Sequence, residues 1–181
     1  MKRNKLVMVH AVAFALGMLP VAGRAQTSNP VTEALMASLH RSSGIMAKAA
    51  EEMPADKYSF QPTAGSMTFG HLILHIGMAN RMSCQMLTGA PAAPKVDLNY
   101  GSPKAKLVAQ MKESFAYCDK VLANFNDSKL GEMRPFFGGH KVTGATWVLV
   151  ISNDWADHYS QEAAYLRRNG MLPPTAHHGK P

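Results

Sequence analysis

An all-α four-helix bundle is the fold this sequence predicts, and three observations predict it. Beyond the first 25 residues there is no stretch of strict polar–apolar alternation and no internal repeat. Four segments of about 20 residues carry apolar side chains at spacings of three and four, the period of an amphipathic helix. Pro and Gly marks separate the segments, where helices have to stop. One apolar stripe per helix is what a bundle with a shared core requires.

The first helix is expected from Val31 to Met53, ahead of Pro54, with Leu35, Leu39, Met46, Ala49 and Met53 inward and Ser42 as a polar intruder. A connector follows in which Tyr58 and Phe60 are expected to pack under the bundle end. The second helix spans about Thr68 to Leu87 and is closed by Gly89 and Pro91, with Leu72, His75, Ala79, Met82 and Met86 in one line. The third spans Pro103 to Asn126, with Leu107, Met111, Ser114, Cys118, Val121 and Phe125 on one face. Thr143 can cap the fourth, whose stripe reads Trp147, Ile151, Asp154, His158, Gln161 and Tyr165 before Asn169-Gly170 and Pro173-Pro174 end it. The connectors are long enough for a crossover. Methionine, at 13 residues, suits a loosely shaped helical core.

The N-terminus reads as an address. Lys2, Arg3 and Lys5 precede a mostly apolar run from Leu6 to Leu19, then Pro20, and Gly23 and Ala25 are small residues at the positions a signal peptidase reads. The run is shorter than the roughly 20 residues of a spanning helix, so a cleaved leader over 1–25 is expected, with an uncleaved anchor as the alternative. No cysteine follows it to carry a lipid. Residues 26–174 then form the bundle and 175–181 a flexible tail, and the protein is expected in the periplasm or outside the cell without stable membrane insertion. The net charge of +7 falls to +3 when Lys2, Arg3, Lys5 and Arg24 leave, and basic and aromatic residues are not interleaved. Nucleic acid is therefore not an expected partner. The two cysteines exclude a disulfide scaffold and a multi-cysteine zinc site.

The informative residues are polar ones on core stripes. His75 lies in line with Leu72 and Ala79, and Asp154 and His158, four apart, project from one face of the last helix. A buried carboxylate without a partner costs several kcal/mol or takes up a proton. Two imidazoles and one carboxylate on facing helices could hold a divalent cation and leave positions open for water or substrate. A His–Asp hydrogen-bond network is the alternative. His71, one turn before His75, could replace it or add to it. His40 and His140 stand alone, while His177 and His178 fall in the tail. Gln161 could hydrogen-bond a ligand or pack at the bundle end. Glu162, four after His158, could support it from behind, but reads as an exposed surface residue.

The stretch from Met53 to Thr63, followed by Thr68-Phe-Gly-His-Leu-Ile-Leu-His75, resembles the opening of DinB-like (damage-inducible) proteins. Asp157-His-Tyr-Ser-Gln-Glu-Ala-Ala-Tyr-Leu-Arg-Arg-Asn-Gly-Met-Leu-Pro-Pro174 resembles that family's closing helix more closely still. The resemblance covers nearly the whole chain after the leader. It implies a four-helix bundle with a crossover and a divalent metal held by three histidines. His75 and His158 match two of those ligands. The third falls on Asp154, where the family commonly has histidine, so the metal could be zinc, nickel, manganese or iron.

Some DinB-like relatives are thiol-dependent transferases or isomerases in which the metal stabilises a thiolate. The resemblance therefore implies a small-molecule substrate and a metal-dependent transferase or hydrolase. An exported protein has poor access to cytosolic thiols, and no general base for hydrolysis is evident. A non-catalytic metal- or ligand-binding bundle and a degenerate site are the competing readings. The resemblance also makes a homodimer plausible. Cys84 falls on the side of its helix opposite His75 while Cys118 points inward, so two reduced, packed cysteines are expected, with a disulfide, which export permits, as the alternative.

Overall fold

The computed structural model describes residues 28–179. The expected leader lies outside the described residues. Four helices form the body: α1 Pro30–Glu52, α2 Phe69–Thr88, α3 Lys104–Leu122 and α4 Gly144–Arg168. Among the described residues, no helix is long and apolar enough to cross a membrane. α1 and α2 each pack against both α3 and α4, so α1–α2 and α3–α4 are the diagonals of the bundle.

Cross-helix bonds fix the directions. Tyr58 Oη donates to the Ala50 carbonyl and the Gly70 amide donates to the Tyr58 carbonyl, which joins the end of α1 to the start of α2. Lys104 Nζ donates to the carbonyls of Glu51 and Met53, so α3 also starts at that end. α2 and α3 therefore run parallel, and residues 89–103 return the full length of the bundle between them. This is the expected crossover. Tyr165 Oη donates to the Met67 carbonyl at 2.5 Å, so α4 ends where α2 begins.

The helix boundaries follow local chemistry. α1 carries Pro30 at its first position, where a missing N–H costs nothing. Thr68 Oγ1 caps α2 by accepting the His71 amide, and Thr143 Oγ1 caps α4 by accepting the Thr146 amide. Gly89 ends α2 in the left-handed region (φ 71°) and Gly170 follows α4 in the same region (φ 74°), a conformation that favours glycine. α3 stops at Leu122, four residues before the expected end. Phe125 folds back beyond it and is still buried.

The loop holding Pro135 to Gly139 is a small antiparallel hairpin, β1 Met133–Pro135 with β2 Lys141–Thr143, where no strand is expected. Trp147 Nε1 donates to the Pro135 carbonyl and closes it onto α4. Tyr58 meets Phe69 edge-on and Phe60 meets Tyr165, which closes the opposite end as expected. Residues Pro174–Gly179, expected within or beside a flexible tail, form a 3-10 turn beside α1. Thr175 is tied there to the Tyr159 hydroxyl.

Two expectations about helix faces are corrected. The buried face of α2 runs through Ile73, Ile76, Gly77, Asn80, Cys84 and Leu87, while Met78 and Met82 are exposed. The helix is turned so that its main contact is with α3, and His75 lies on the flank towards α4. The same rotation overturns the expectation of two reduced cysteines. Asn80 faces Ser114 across the parallel pair, and one turn further Cys84 meets Cys118 in a disulfide with Cα atoms 5.5 Å apart. Pointing away from His75 is what aims Cys84 at α3.

Candidate functional site

His75 and His158 face each other across the α2–α4 contact, their rings edge-on with centroids 5.0 Å apart. They lie in the half of the bundle where α2 begins and α4 ends. His158 is buried and His75 half-buried. Asp154 is one turn before His158, and its Oδ1 stands 3.3 Å from His158 Nε2. That is an ion-pair distance without hydrogen-bond alignment, because neither ring nitrogen of His158 has a hydrogen-bond partner. The three residues expected to act together are thus neighbours.

Asp154 is not on the inward seam as expected. The buried stripe of α4 passes through Trp147, Ile151, Trp155, His158, Glu162 and Tyr165, with Asp154 half-exposed at its edge. Trp155, which fills the place expected for Asp154, donates from Nε1 to Asn80 Oδ1 at 2.7 Å, and Asn80 Nδ2 donates to Ser114 Oγ. This network ties α2, α3 and α4 together, five residues from His75 on α2 and three from His158 on α4.

The two imidazoles are held apart in their titration. Burial and the neighbouring His158 push His75 below the ordinary histidine value, against the pull of Asp154. Burial also pulls His158 down, but Asp154 and Asp157 outweigh it and leave His158 above the ordinary value. Of the two rings, His75 thus gives up its proton more readily and His158 holds one more tightly.

His71 does not join them. Its ring stacks on Tyr100 at 3.6 Å between centroids, so the end of the crossover lies over the first turn of α2. Gly70 permits that approach, since a Cβ there would stand 2.9 Å from the Tyr100 carbonyl oxygen. Gln161 donates to Asp157 Oδ2 and does not touch His158 by hydrogen bond. His40 is exposed and paired with Asp119 at 2.7 Å, His140 is exposed, and His177 lies 3.8 Å from Glu52.

Glu162 is the residue the sequence reading misplaces. It is fully buried, with both carboxylate oxygens lacking a hydrogen-bond partner, and burial raises its pKa well above the usual carboxylate range. The signal was present in the spacing. Trp155, His158, Glu162 and Tyr165 recur at three and four, and Glu162 belongs to that stripe.

Among the described residues, no group of three or more His, Cys, Asp or Glu side chains is arranged to hold a metal ion as it stands. The donor set nevertheless suits one. His158 brings two buried nitrogens without partners, His75 brings a ring biased towards the neutral ligating form, and Asp154 brings a carboxylate 3.3 Å from His158.

The sequence pattern of the DinB superfamily matches residues 38–161 of the chain. Among solved structures, a DinB-like protein from Bacillus cereus superposes with a TM-score of 0.66 at 16% identity, covering 78% of this chain and 95% of that one. A DinB-like protein from Bacillus subtilis gives 0.63 at 20% identity, covering 77% and 95%. A conserved protein from Enterococcus faecalis gives 0.61 at 15% identity, covering 76% and 95%. No curated protein matches the chain.

Proposed function

The chain belongs to the DinB superfamily, and on that footing we propose that it is an exported bundle that binds a divalent metal through His75, Asp154 and His158. The observation that carries this reading is the His75–His158 pair. Two imidazoles meet edge-on across facing helices, one of them buried with neither nitrogen hydrogen-bonded, and a carboxylate stands 3.3 Å away. Buried polar groups normally find partners, and a cation is the partner this donor set fits. On this reading, metal uptake draws the three side chains closer than they stand.

When bound, a divalent cation there supplies Lewis acidity, which lowers the pKa of a thiol or of water and so serves thiol transfer or hydrolysis of a small molecule. The chain's own part is positioning. α2 and α4 hold the rings, and the Asn80–Trp155 bond ties those same two helices together nearby. Export is supported by the leader pattern of residues 1–25 and by the Cys84–Cys118 disulfide, a bond that persists in oxidising compartments. The competing reading, a structural His–Asp pair without metal, rests on that same 3.3 Å contact.

Elemental analysis of the purified protein decides between them. The comparison is parent protein, Asp154→Ala/His158→Ala, and His177→Ala/His178→Ala, each supplied with zinc, nickel, manganese and ferrous iron. Near-stoichiometric metal in the parent and the tail variant, but not in the first double variant, is expected. Absence of metal from the parent under every supply would leave the His–Asp pair as a structural contact.

A further inference from the structure

Exposed apolar side chains gather at the end of the bundle remote from the histidine pair. α1 and α4 begin there, α2 and α3 finish there, and the β1–β2 hairpin lies between α3 and α4. Met133 is 58% exposed, Phe137 in the hairpin turn 43%, and Val31 in the first turn of α1 39%. Met133 pairs with Thr143 and Pro135 with Lys141, so Met133, Pro135 and Lys141 share one face of the hairpin, and all three are exposed. The Arg134–Val142 pair, on the other face, is half-buried. Phe136 and Phe137 both meet Trp147 edge-on, with centroids 5.0 and 5.6 Å away, so Phe137 is presented on a packed aromatic base.

Cations flank these groups. Lys120 and Lys129 border a groove of about 320 Å³ between the ends of α2 and α3. Arg134 reaches its rim, where Nη1 would stand 3.6 Å from a Cβ at Gly89. Among the described residues, Lys120, Lys129 and Lys141 have no carboxylate at ion-pair distance. The acids at this end are otherwise engaged. Glu132 pairs with Arg134, Asp119 with His40, Asp127 caps α1, and Glu33 lies in the first turn of α1, where the helix dipole favours it.

The point where the chain enters the fold indicates what this surface meets. Ser28 lies at the same end, its neighbour Asn29 accepting the amide of Asp127 beyond α3. Ser28 is nine positions after Leu19, where the apolar run of the expected leader ends, a reach of at most about 30 Å. A leader engaged in a membrane therefore brings Met133, Phe137 and the lysines to the lipid surface first, with the His75–His158 pair in the half that faces away.

We propose that this end of the bundle docks on an anionic phospholipid surface and continues to do so once the leader is gone. The lysines meet headgroup phosphates, while Phe137 and Met133 enter the boundary between headgroups and acyl chains. The contact is peripheral, since no helix among the described residues is long and apolar enough to span. It rests on the export reading only for the membrane the chain meets, and it uses no residue of the histidine pair.

The test is sedimentation of the protein without residues 1–25, the exported form, with phospholipid vesicles. Binding to vesicles containing phosphatidylglycerol is expected to exceed binding to phosphatidylcholine alone by about tenfold or more, and to weaken as salt rises. Met133→Ser/Phe137→Ser and Lys120→Gln/Lys129→Gln/Lys141→Gln should each reduce it by about tenfold or more, with melting temperatures close to the parent's. Leu172→Ser, a 53% exposed position at the opposite end, should leave it unchanged. Equal binding to both vesicle types, no binding to either, or unchanged binding in the hairpin variant would overturn the proposal. So would a dimer that forms without vesicles and that Met133→Ser/Phe137→Ser dissolves, which would assign the face to a second copy. Because the measurement involves neither export nor metal, these outcomes leave both of those readings standing.

Discussion

Glu162 follows His158 by one turn of α4 and is wholly enclosed, with neither carboxylate oxygen hydrogen-bonded. Burial holds its pKa well above the usual carboxylate range, so the folded protein keeps a proton that the unfolded chain gives up. The sign follows from linkage. Below the ordinary carboxylate value both states are protonated and nothing is lost. Above it the unfolded state binds fewer protons, and stability falls as pH rises towards the raised folded value. Glu162→Gln cannot ionise and should remove that slope. Melting temperatures of parent and variant should coincide near about pH 4 and separate in the variant's favour towards about pH 8. Parallel curves across that range would show that Glu162 ionises in the fold.

The Cys84–Cys118 disulfide joins parallel helices across a separation of 34 residues. Closing a loop of that length restricts the unfolded chain by about 3–4 kcal/mol on the chain-entropy account. Cys84→Ser/Cys118→Ser should therefore melt on the order of 10 °C lower than the oxidised parent, and reductant should move the parent alone towards it. Intact-mass analysis of protein secreted into an oxidising compartment should show the loss of two hydrogens. Full alkylation without prior reduction would refute the bond.

Asn80 satisfies two helices at once, accepting from Trp155 Nε1 at 2.7 Å and donating to Ser114 Oγ at 3.0 Å, with 2% of its surface exposed. Asn80→Ala leaves the indole N–H without its acceptor and opens a small cavity between α2, α3 and α4. The expected cost is about 2–4 kcal/mol, read from chemical denaturation. Because the network joins the two helices that carry the histidine pair, the same variant should also broaden the His75 and His158 ring signals in NMR spectra. A loss below about 1 kcal/mol would mean that water replaces the amide at little expense.

Helix number and most boundaries are legible because they depend on local signals: Gly89, Thr143 and Gly170 each act within a turn of their own position, whereas the end of α3, with no such mark, falls four residues early. Rotation of a helix about its axis is set by its neighbours, which local signals do not encode. The stripe through His75, Ala79 and Met82 looked inward by period. α2, however, is covered on two sides, and the polar residues Asn80 and Ser83 share its buried face with Cys84. A buried polar residue is invisible to an apolar count, which is why Asn80, Gln110 and Glu162 were not singled out as core. The pairing of His75 with His158 survived because it needed only the flank of α2 that meets α4.

Asp127, in the turn after α3, caps α1 from across the bundle. Its Oδ1 accepts from the Thr32 amide and hydroxyl at 2.8 and 2.6 Å, and its Oδ2 accepts from the Val31 amide at 3.0 Å. Desolvation works to raise its pKa, but these hydrogen bonds to the ionised form prevail and hold it below the ordinary value. The folded state therefore binds the proton more weakly than the unfolded chain. The cap's contribution is complete above the ordinary carboxylate value and is lost as pH falls through the depressed folded one. Asp127→Asn keeps one acceptor oxygen but loses the charge that favours a helix N-terminus. It should melt below the parent at neutral pH, and the difference should close in strong acid. Hydrogen exchange should localise the effect to the first turn of α1, at Val31 and Thr32. Protection unchanged at those two amides would show that α1 holds its end without Asp127.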